Sequence, residues 1–310
     1  MDLSIVVVNT NTLDLLRDCL ESVYQTTTGI EYEVIVVDNN SIDGSVEMVK
    51  RQFPKARIIQ NDRNLGFPVS NNRGFEAGTG RYVLALNPDT IVQGNALEVV
   101  VRFLDEHREA GAAGILTLNP DGTVQPTYER FPTLLSQVFY TTPLKRLFPH
   151  HVANQDFGKH KEVDWVQGSF LMMRKTALDE VGMFDDRYSP LYSEETDLCY
   201  RIKKAGWLIY HVTTASIIHF GGQTTKLMDT WFFLQLHKSK FEFFRKHRGV
   251  LYAQTYRCVR MLACFMRLGQ LAARLIVPAG QSEYVRKRLR LQWNLFRFLL
   301  NPGLRMPELP

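Results

Sequence analysis

The chain has 310 residues, 45% of them hydrophobic and 22% charged, with 20 Gly and 13 Pro, a globular composition that excludes disordered, collagen-like and coiled-coil classes. At this length it can bury a sizeable core as one large domain or two modest ones. The net charge of +5 is held unevenly: residues 251–310 carry ten Lys and Arg against two acids, leaving 27 against 30, or −3, for residues 1–250, so the basic C-terminal end is suited to an anionic surface.

The N-terminus, Asp2-Leu3-Ser4-Ile5-Val6-Val7-Val8, lacks the basic region and cleavage site of a signal peptide and is expected to be a first strand. Further strands are expected at residues 33–37, 57–59 and 82–86, separated by helices at 13–24, 45–53, 69–77 and 96–107, with Asp43 as N-cap of the second helix. Because these strands are continuously apolar, they fit a parallel sheet covered on both faces, and so an α/β fold. After Gly114 the pattern changes. Asn119-Pro120-Asp121-Gly122 marks a turn between two short strand-like runs, and a Pro-rich stretch over 126–149 reads as loops over a site. Regular structure is expected again over 163–173, then helices at 176–181 and 194–205, then strands at 208–212 and 216–220, and the body ends near Gly222.

Three helical stretches follow, at 228–248, 252–276 and 282–300. In the middle one Arg257, Arg260, Arg267 and Arg274 share a stripe roughly 100° wide, with Leu262, Phe265 and Met266 on other faces. Residues 261–277 are interrupted by Arg267, Gln270 and Arg274, so no transmembrane span is expected. Cys19, Cys199, Cys258 and Cys264 have neither zinc-site spacing nor the pattern of a disulfide framework, which favours a reducing compartment.

Four segments carry candidate chemistry. Asp38-Asn39-Asn40-Ser41 follows an apolar strand at the edge where open α/β sheets bind ligands, although Asp and Asn there also serve simply to turn the chain. In Asn87-Pro88-Asp89-Thr90 a carboxylate on a stiff turn can hold a divalent cation that is shared with diphosphate oxygens. Ser193-Glu194-Glu195-Thr196-Asp197 puts three carboxylates into one helical turn, more than capping requires, and crowding raises a carboxyl pKa toward that of a general base. His219-Phe220-Gly221-Gly222 ends the last strand with an imidazole that could join Asp89 at a metal. No dinucleotide or P-loop glycine motif is present.

In this order these segments, with Val6-Val7-Val8-Asn9-Thr10-Asn11, Asn64-Leu65-Gly66-Phe67, Gly168-Ser169-Phe170 and Val181-Gly182-Met183-Phe184-Asp185, resemble the inverting family 2 glycosyltransferases of GT-A fold, in the branch of bacterial rhamnosyltransferases. The resemblance covers about residues 3–248. It implies a mostly parallel nucleotide-sugar-binding sheet with flanking helices, a catalytic domain over 1–226 and a helical, basic extension over 227–310. It also implies a nucleotide-sugar site at Thr10, Asn11, Asp38, Asn40, Asn64, Gly66, Asn72, Asn87 and Asp89, with Mg²⁺ or Mn²⁺ held by Asp89 and His219. The catalytic base would be Glu195, with Glu194 and Asp197 as rivals. Asn87 stands where the family often has Asp, and Glu195 where it usually has Asp.

The implied reaction moves a sugar, expected to be L-rhamnose from dTDP-rhamnose, to a hydroxyl of a glycan or lipid-linked glycan. A UDP-hexose or UDP-N-acetylhexosamine donor, or a catalytically silent assembly subunit, are the alternatives. The expected location is cytoplasmic, with the basic helices peripheral on the inner face of the membrane or packed on protein. A homo-oligomer is left open, and nucleic acid is not an expected partner.

Overall fold

A computed structural model of the protein describes residues 1–141, 159–221, 229–274 and 282–300, and within these not the side chains of 139–141, 229, 274 and 282. In chain order the elements are β1 (Leu3–Asn9), α1 (Leu13–Thr26), β2 (Tyr32–Asp38), α2 (Ser45–Gln52), β3 (Arg57–Gln60), α3 (Phe67–Ala77), β4 (Tyr82–Leu86), β5 (Thr90–Val92), α4 (Ala96–Glu106), β6 (Ala110–Leu118), β7 (Val124–Gln125), β8 (Tyr128–Glu129) and α5 (Leu134–Thr141). There follow β9 (Lys161–Glu162), β10 (Trp165–Val166), β11 (Phe170–Arg174), α6 (Lys175–Val181), α7 (Glu194–Lys204), β12 (Leu208–His219), α8 (Asp229–Arg248), α9 (Val250–Arg274) and α10 (Ser282–Leu300).

The main sheet runs β3-β2-β1-β4-β11-β6-β12-β5. Its first four strands are mutually parallel, β11 lies antiparallel between β4 and β6, and β12 is parallel to β6. This is the expected α/β sheet, mostly parallel on the β1–β4 side. Every residue of β1 and β4 is buried, because helices cover both faces and form two apolar layers around Leu3, Ile5 and Val7 on one side and Val6 and Val8 on the other.

The chain forms two compact units. The first contains Met1–Phe131 and Asn154–Gln223, with the whole sheet; the second contains α5 and α8 to α10. Residues 132–141, counted with the loops of the body in the sequence, include helix α5, whose Leu134 N–H donates to the Tyr252 hydroxyl of α9 at 2.9 Å. The rest of the expected loop, 142–158, and Gly222 lie outside the described residues.

Three local expectations are corrected. Gly44 with φ 85°, not Asp43, occupies the cap of α2; the Asp43 carboxylate accepts from Ser45 N at 3.1 Å and from Leu13 N at 2.8 Å, serving the first turns of two helices. The two strands expected over 208–220 are one, β12, with an irregularity between Val212 and Ser216. The arginine stripe of α9 is only partly open to solvent: Arg267 is exposed, whereas Arg257 and Arg260 are engaged by neighbouring helices. Arg260 is buried and donates to His237 Nε2 at 3.2 Å, while Arg257 donates to the carbonyls of Leu299 and Leu300 at the end of α10.

Candidate active site

The carboxyl ends of β1 and β2 lie side by side, with Asn9 opposite Asp38. Asp38 is 1% exposed; its Oδ1 accepts from Asn9 Nδ2 at 2.9 Å and its Oδ2 from Ser41 N at 2.9 Å. Its carboxylate thus fixes the loop after β2. Asn11 supports the loop from the other side, its Oδ1 accepting from Ile42 N at 2.8 Å. Asn11 and Asn40 adopt φ of 51° and 61°, a left-handed backbone that Asn tolerates, and both are exposed at the rim with half-buried Thr10 between the strands.

The next wall of the site is built around a buried amide. Asn39 Oδ1 accepts from Ser70 Oγ at 2.6 Å, Asn61 Nδ2 at 2.7 Å and Leu65 N at 3.3 Å, which ties segment 61–70 to the end of β2. Asn64 Oδ1 accepts from Gly66 N at 2.9 Å. Phe67 N donates to Pro190 O at 2.7 Å and Ser189 Oγ to Leu65 O at 2.9 Å, so the loop is docked on residues 189–190. Asn72 uses both ends of its amide on the backbone of Phe184, at 2.8 and 3.0 Å, and so holds α3 to the same segment.

Gly66 has φ 83°, and a Cβ there would lie 2.5 Å from the Pro190 Cα. Gly66→Ala is therefore expected to destabilise the first unit by about 3 kcal/mol, from overpacking plus left-handed strain. A lowered thermal midpoint checks this, and an unchanged one would mean that the loop is free to move away.

At the end of β4, Asn87-Pro88-Asp89 meets the end of β12 through the pairing of β5 with β12. Asp89 Oδ1 is 3.2 Å from His219 Nε2, and Asn87 Nδ2 approaches the same nitrogen at 3.5 Å. The other ring nitrogen, Nδ1, is 2.6 Å from Gln125 Oε1. A directional relay decides the roles. Asp121, its carboxyl held below the usual range by the Thr123 hydroxyl and amide, accepts from Thr123 Oγ1 at 2.6 Å, which accepts from Asn119 Nδ2 at 2.9 Å. Asn119 Oδ1 accepts from Gln125 Nε2 at 3.0 Å, leaving the Gln125 carbonyl to accept from His219 Nδ1–H. In the neutral ring Nε2 then carries a lone pair aimed at a carboxylate oxygen. Such an arrangement suits a cation between the two acceptors, and the donor set, one oxygen and one imidazole nitrogen, fits Mn²⁺ or Mg²⁺. Among the described residues no third His, Cys, Asp or Glu joins them, so further ligands would be substrate oxygens.

Helix α7 brings the acids. It is preceded by Tyr192 and Ser193 at φ of 79° and 70°, a strained left-handed entry, and Ser193 makes no side-chain cap. Glu194 is buried, and Glu194 Oε2 and Glu195 Oε2 are both closed to solvent without a hydrogen-bond partner. Burial holds both carboxyls above the usual range: Glu194 is raised further by the neighbouring Glu195, and Glu195 is raised to about 7. Burial thus exceeds the crowding expected from the sequence as the cause. Asp197 differs. It is 0% exposed, accepts from Arg201 Nε at 2.8 Å and from Tyr188 OH at 3.1 Å, and Arg201 in turn donates to the carbonyls of Val181, Gly182 and Met183.

Against known families, residues 4–182 match the model of glycosyl transferase family 2, which is more than half of the chain. The chain belongs to this family. It is 29% identical over 234 residues to the N-acetylglucosaminyl-diphospho-decaprenol L-rhamnosyltransferase of Mycobacterium tuberculosis, covering 70% of this chain and 76% of the relative. To rhamnosyltransferase WbbL of Escherichia coli it is 23% identical over 252 residues, covering 79% and 93%. Among solved structures, the mannosyltransferase PcManGT of Pyrobaculum calidifontis, in complex with GDP-Man and Mn²⁺, aligns with a TM-score of 0.61 at 15% identity, over 97% of this chain and 87% of that one. The fold is GT-A, and the protein is a nucleotide-sugar-dependent, inverting glycosyltransferase.

The glycosyltransferase brings together Asp38, Asn40, Thr10 and Asn11 at one edge, and Asn87, Asp89 and His219 at the ends of β4 and β12. Sequence reasoning missed Asn9, which orients Asp38, Gln125, which orients His219, and the Tyr188–Arg201 pair that engages Asp197. Asn9 sat inside a quoted motif. Nothing in the sequence marked Gln125.

Proposed function

We propose that this glycosyltransferase transfers L-rhamnose from dTDP-rhamnose to a hydroxyl of a lipid-linked glycan, with Glu195 as the catalytic base. The observation that carries the mechanism is the Glu195 carboxyl, with a buried, unpartnered oxygen and a pKa raised to about 7, the value a base needs at neutral pH. The two rhamnosyltransferase relatives support the choice of sugar.

The reaction is a single in-line displacement. Glu195 takes the acceptor hydroxyl proton as the oxygen bonds to the anomeric carbon; the bond from that carbon to the diphosphate oxygen breaks on the opposite face, and its electron pair leaves with the nucleoside diphosphate. The configuration inverts. Asp89 and His219 would hold the divalent cation, Mn²⁺ or Mg²⁺, which when bound neutralises charge on the leaving diphosphate. Asp38, Asn40, Thr10 and Asn11 would frame the base and ribose, Asn64 and Gly66 the donor pocket, and Asn72 and Asp197 would keep its walls in place. Glu194, raised by burial and by the charge of Glu195, keeps its own proton beside the base. The reading places the enzyme on the cytoplasmic side, where a lipid-linked acceptor meets it at the inner membrane face.

Calorimetric titration with dTDP and with UDP, each with and without Mn²⁺, tests the donor. The expected result is binding of dTDP that strengthens at least tenfold with Mn²⁺. Preference for UDP would replace rhamnose by a UDP-linked hexose, and binding of neither would point to a silent subunit.

A further inference from the structure

Helix α9 turns Arg257 and Arg260 toward its neighbours and an apolar face outward. Leu251 at 83%, Leu262 at 60%, Phe265 at 68% and Met266 at 39% exposed lie on one face with exposed Thr255, Cys258, Gly269 and Ala273, and the set 251, 255, 258, 262, 265 or 266, 269 and 273 keeps the three-to-four spacing of one helical face. No charged residue interrupts that face: Arg260 is buried, Arg257 is engaged by the α10 carbonyls, and exposed Arg267 lies about 150° around the helix from its centre. The neighbouring helix is opposite in character. The exposed side of α10 carries Arg286, Lys287, Arg290 and Arg297, with Glu283 as its one acid and Trp293, 51% exposed, among the arginines.

Bulky apolar side chains held in water are costly, and α9 presents them from Leu251 to Met266, along about 23 Å of helix. Neither α9 nor any other described helix is long and apolar enough to cross a membrane. A second copy of this chain is a poor match, since an isologous contact through this unit would bring the α10 cations together. An anionic lipid surface accommodates both helices: acyl chains receive the apolar side chains of α9, lipid phosphates receive the α10 arginines, and Trp293 suits the boundary.

We propose that α9 and α10 form a docking surface for an anionic phospholipid bilayer, with Leu262 and Phe265 as insertion residues and Arg286, Arg290 and Arg297 as headgroup contacts. This rests on the reading of the acceptor as lipid-linked and specifies what holds the enzyme beside it. It also differs from the sequence expectation, in which the α9 arginines would have met the lipid.

The test is flotation of the full-length protein with vesicles of phosphatidylcholine alone and with 30% phosphatidylglycerol added. Binding is expected to be at least tenfold stronger on the anionic vesicles and to weaken as salt is raised. The double substitution Leu262→Gln, Phe265→Gln is expected to lower that binding at least tenfold, and Arg286→Gln with Arg290→Gln to remove the preference for anionic lipid. Both variants should keep the wild-type affinity for dTDP with Mn²⁺, which establishes that they fold and separates this surface from the nucleotide site. No binding to anionic vesicles, or binding unaffected by the α9 substitutions, would overturn the proposal. So would a concentration-dependent dimer that the α9 substitutions abolish. Failure of dTDP binding in the wild type would instead overturn the functional reading and leave the vesicle result standing.

Discussion

Glu195→Gln is expected to lower turnover by about 10³-fold while leaving nucleoside diphosphate affinity unchanged, because the amide keeps the size of the side chain and cannot take a proton. The same substitution has a second, independent signature. The carboxyl of Glu195 is raised by burial to about 7 in the folded protein, against 4.5 for the free side chain. The protonated form is therefore favoured by folding, so the wild type loses stability as pH rises from about 4.5 to about 7 and regains none above. Gln has no such loss. Glu195→Gln should thus be more stable than wild type at pH 8 and indistinguishable from it at pH 4, as read by thermal unfolding, while activity of the wild type should rise with pH through an apparent midpoint near 7. Glu194→Gln should retain turnover and leave that midpoint near 7, because the Glu195 charge raises Glu194 and not the reverse, so Glu194 is still protonated where Glu195 titrates. If Glu194→Gln were the inactive variant and Glu195→Gln the active one, the roles would be exchanged.

The division between what sequence could and could not reveal follows from which interactions are local. Strands β1, β2 and β4 were readable because burial on both faces demands unbroken Val, Ile and Leu, a signal contained within each strand. The start of β6 was not. Ala110-Gly111-Ala112-Ala113-Gly114 has weak strand propensity, and its glycines are explained only by distant side chains: a Cβ at Gly111 would lie 2.8 Å from that of Trp207, and one at Gly114 2.8 Å from that of Val166. The α9 helix shows the reverse case, in which a correct local pattern does not say which of its arginines face outward: Arg267 does, Arg257 and Arg260 do not. Periodicity locates the arginine stripe, but the inward turn of Arg257 and Arg260 depends on the α10 carbonyls and on His237 of α8. At the active site, acids could be recognised as a cluster, yet their separation into Glu194 and Glu195, each with one buried oxygen left without a partner, and fully engaged Asp197 came from Tyr188 and Arg201.

Asp89→Asn is expected to abolish the Mn²⁺-dependent part of dTDP affinity and to lower turnover by about 10²-fold or more, because an amide oxygen is a far weaker ligand for a hard cation and leaves the diphosphate charge uncompensated. His219 should show a graded version of the same loss, and its partner Gln125 separates orientation from ligation. Gln125 touches the ring on Nδ1, the side away from Asp89, and its own amide is fixed by Asn119. Gln125→Leu would remove the acceptor that holds the proton on Nδ1 and let the ring move it to Nε2, where it would donate to Asp89 and close the position a cation needs. The expected outcome is a roughly tenfold loss of Mn²⁺-dependent dTDP affinity with metal-free dTDP affinity unchanged, accompanied by a change in the His219 ring ¹⁵N shifts from the Nδ1–H to the Nε2–H pattern in the metal-free protein. Gln125→Glu, which preserves the acceptor, should restore the original tautomer. If Gln125→Leu left both the ¹⁵N pattern and the metal dependence intact, Gln125 would be no more than a hairpin residue and Asp89 alone would carry the cation site on the protein side.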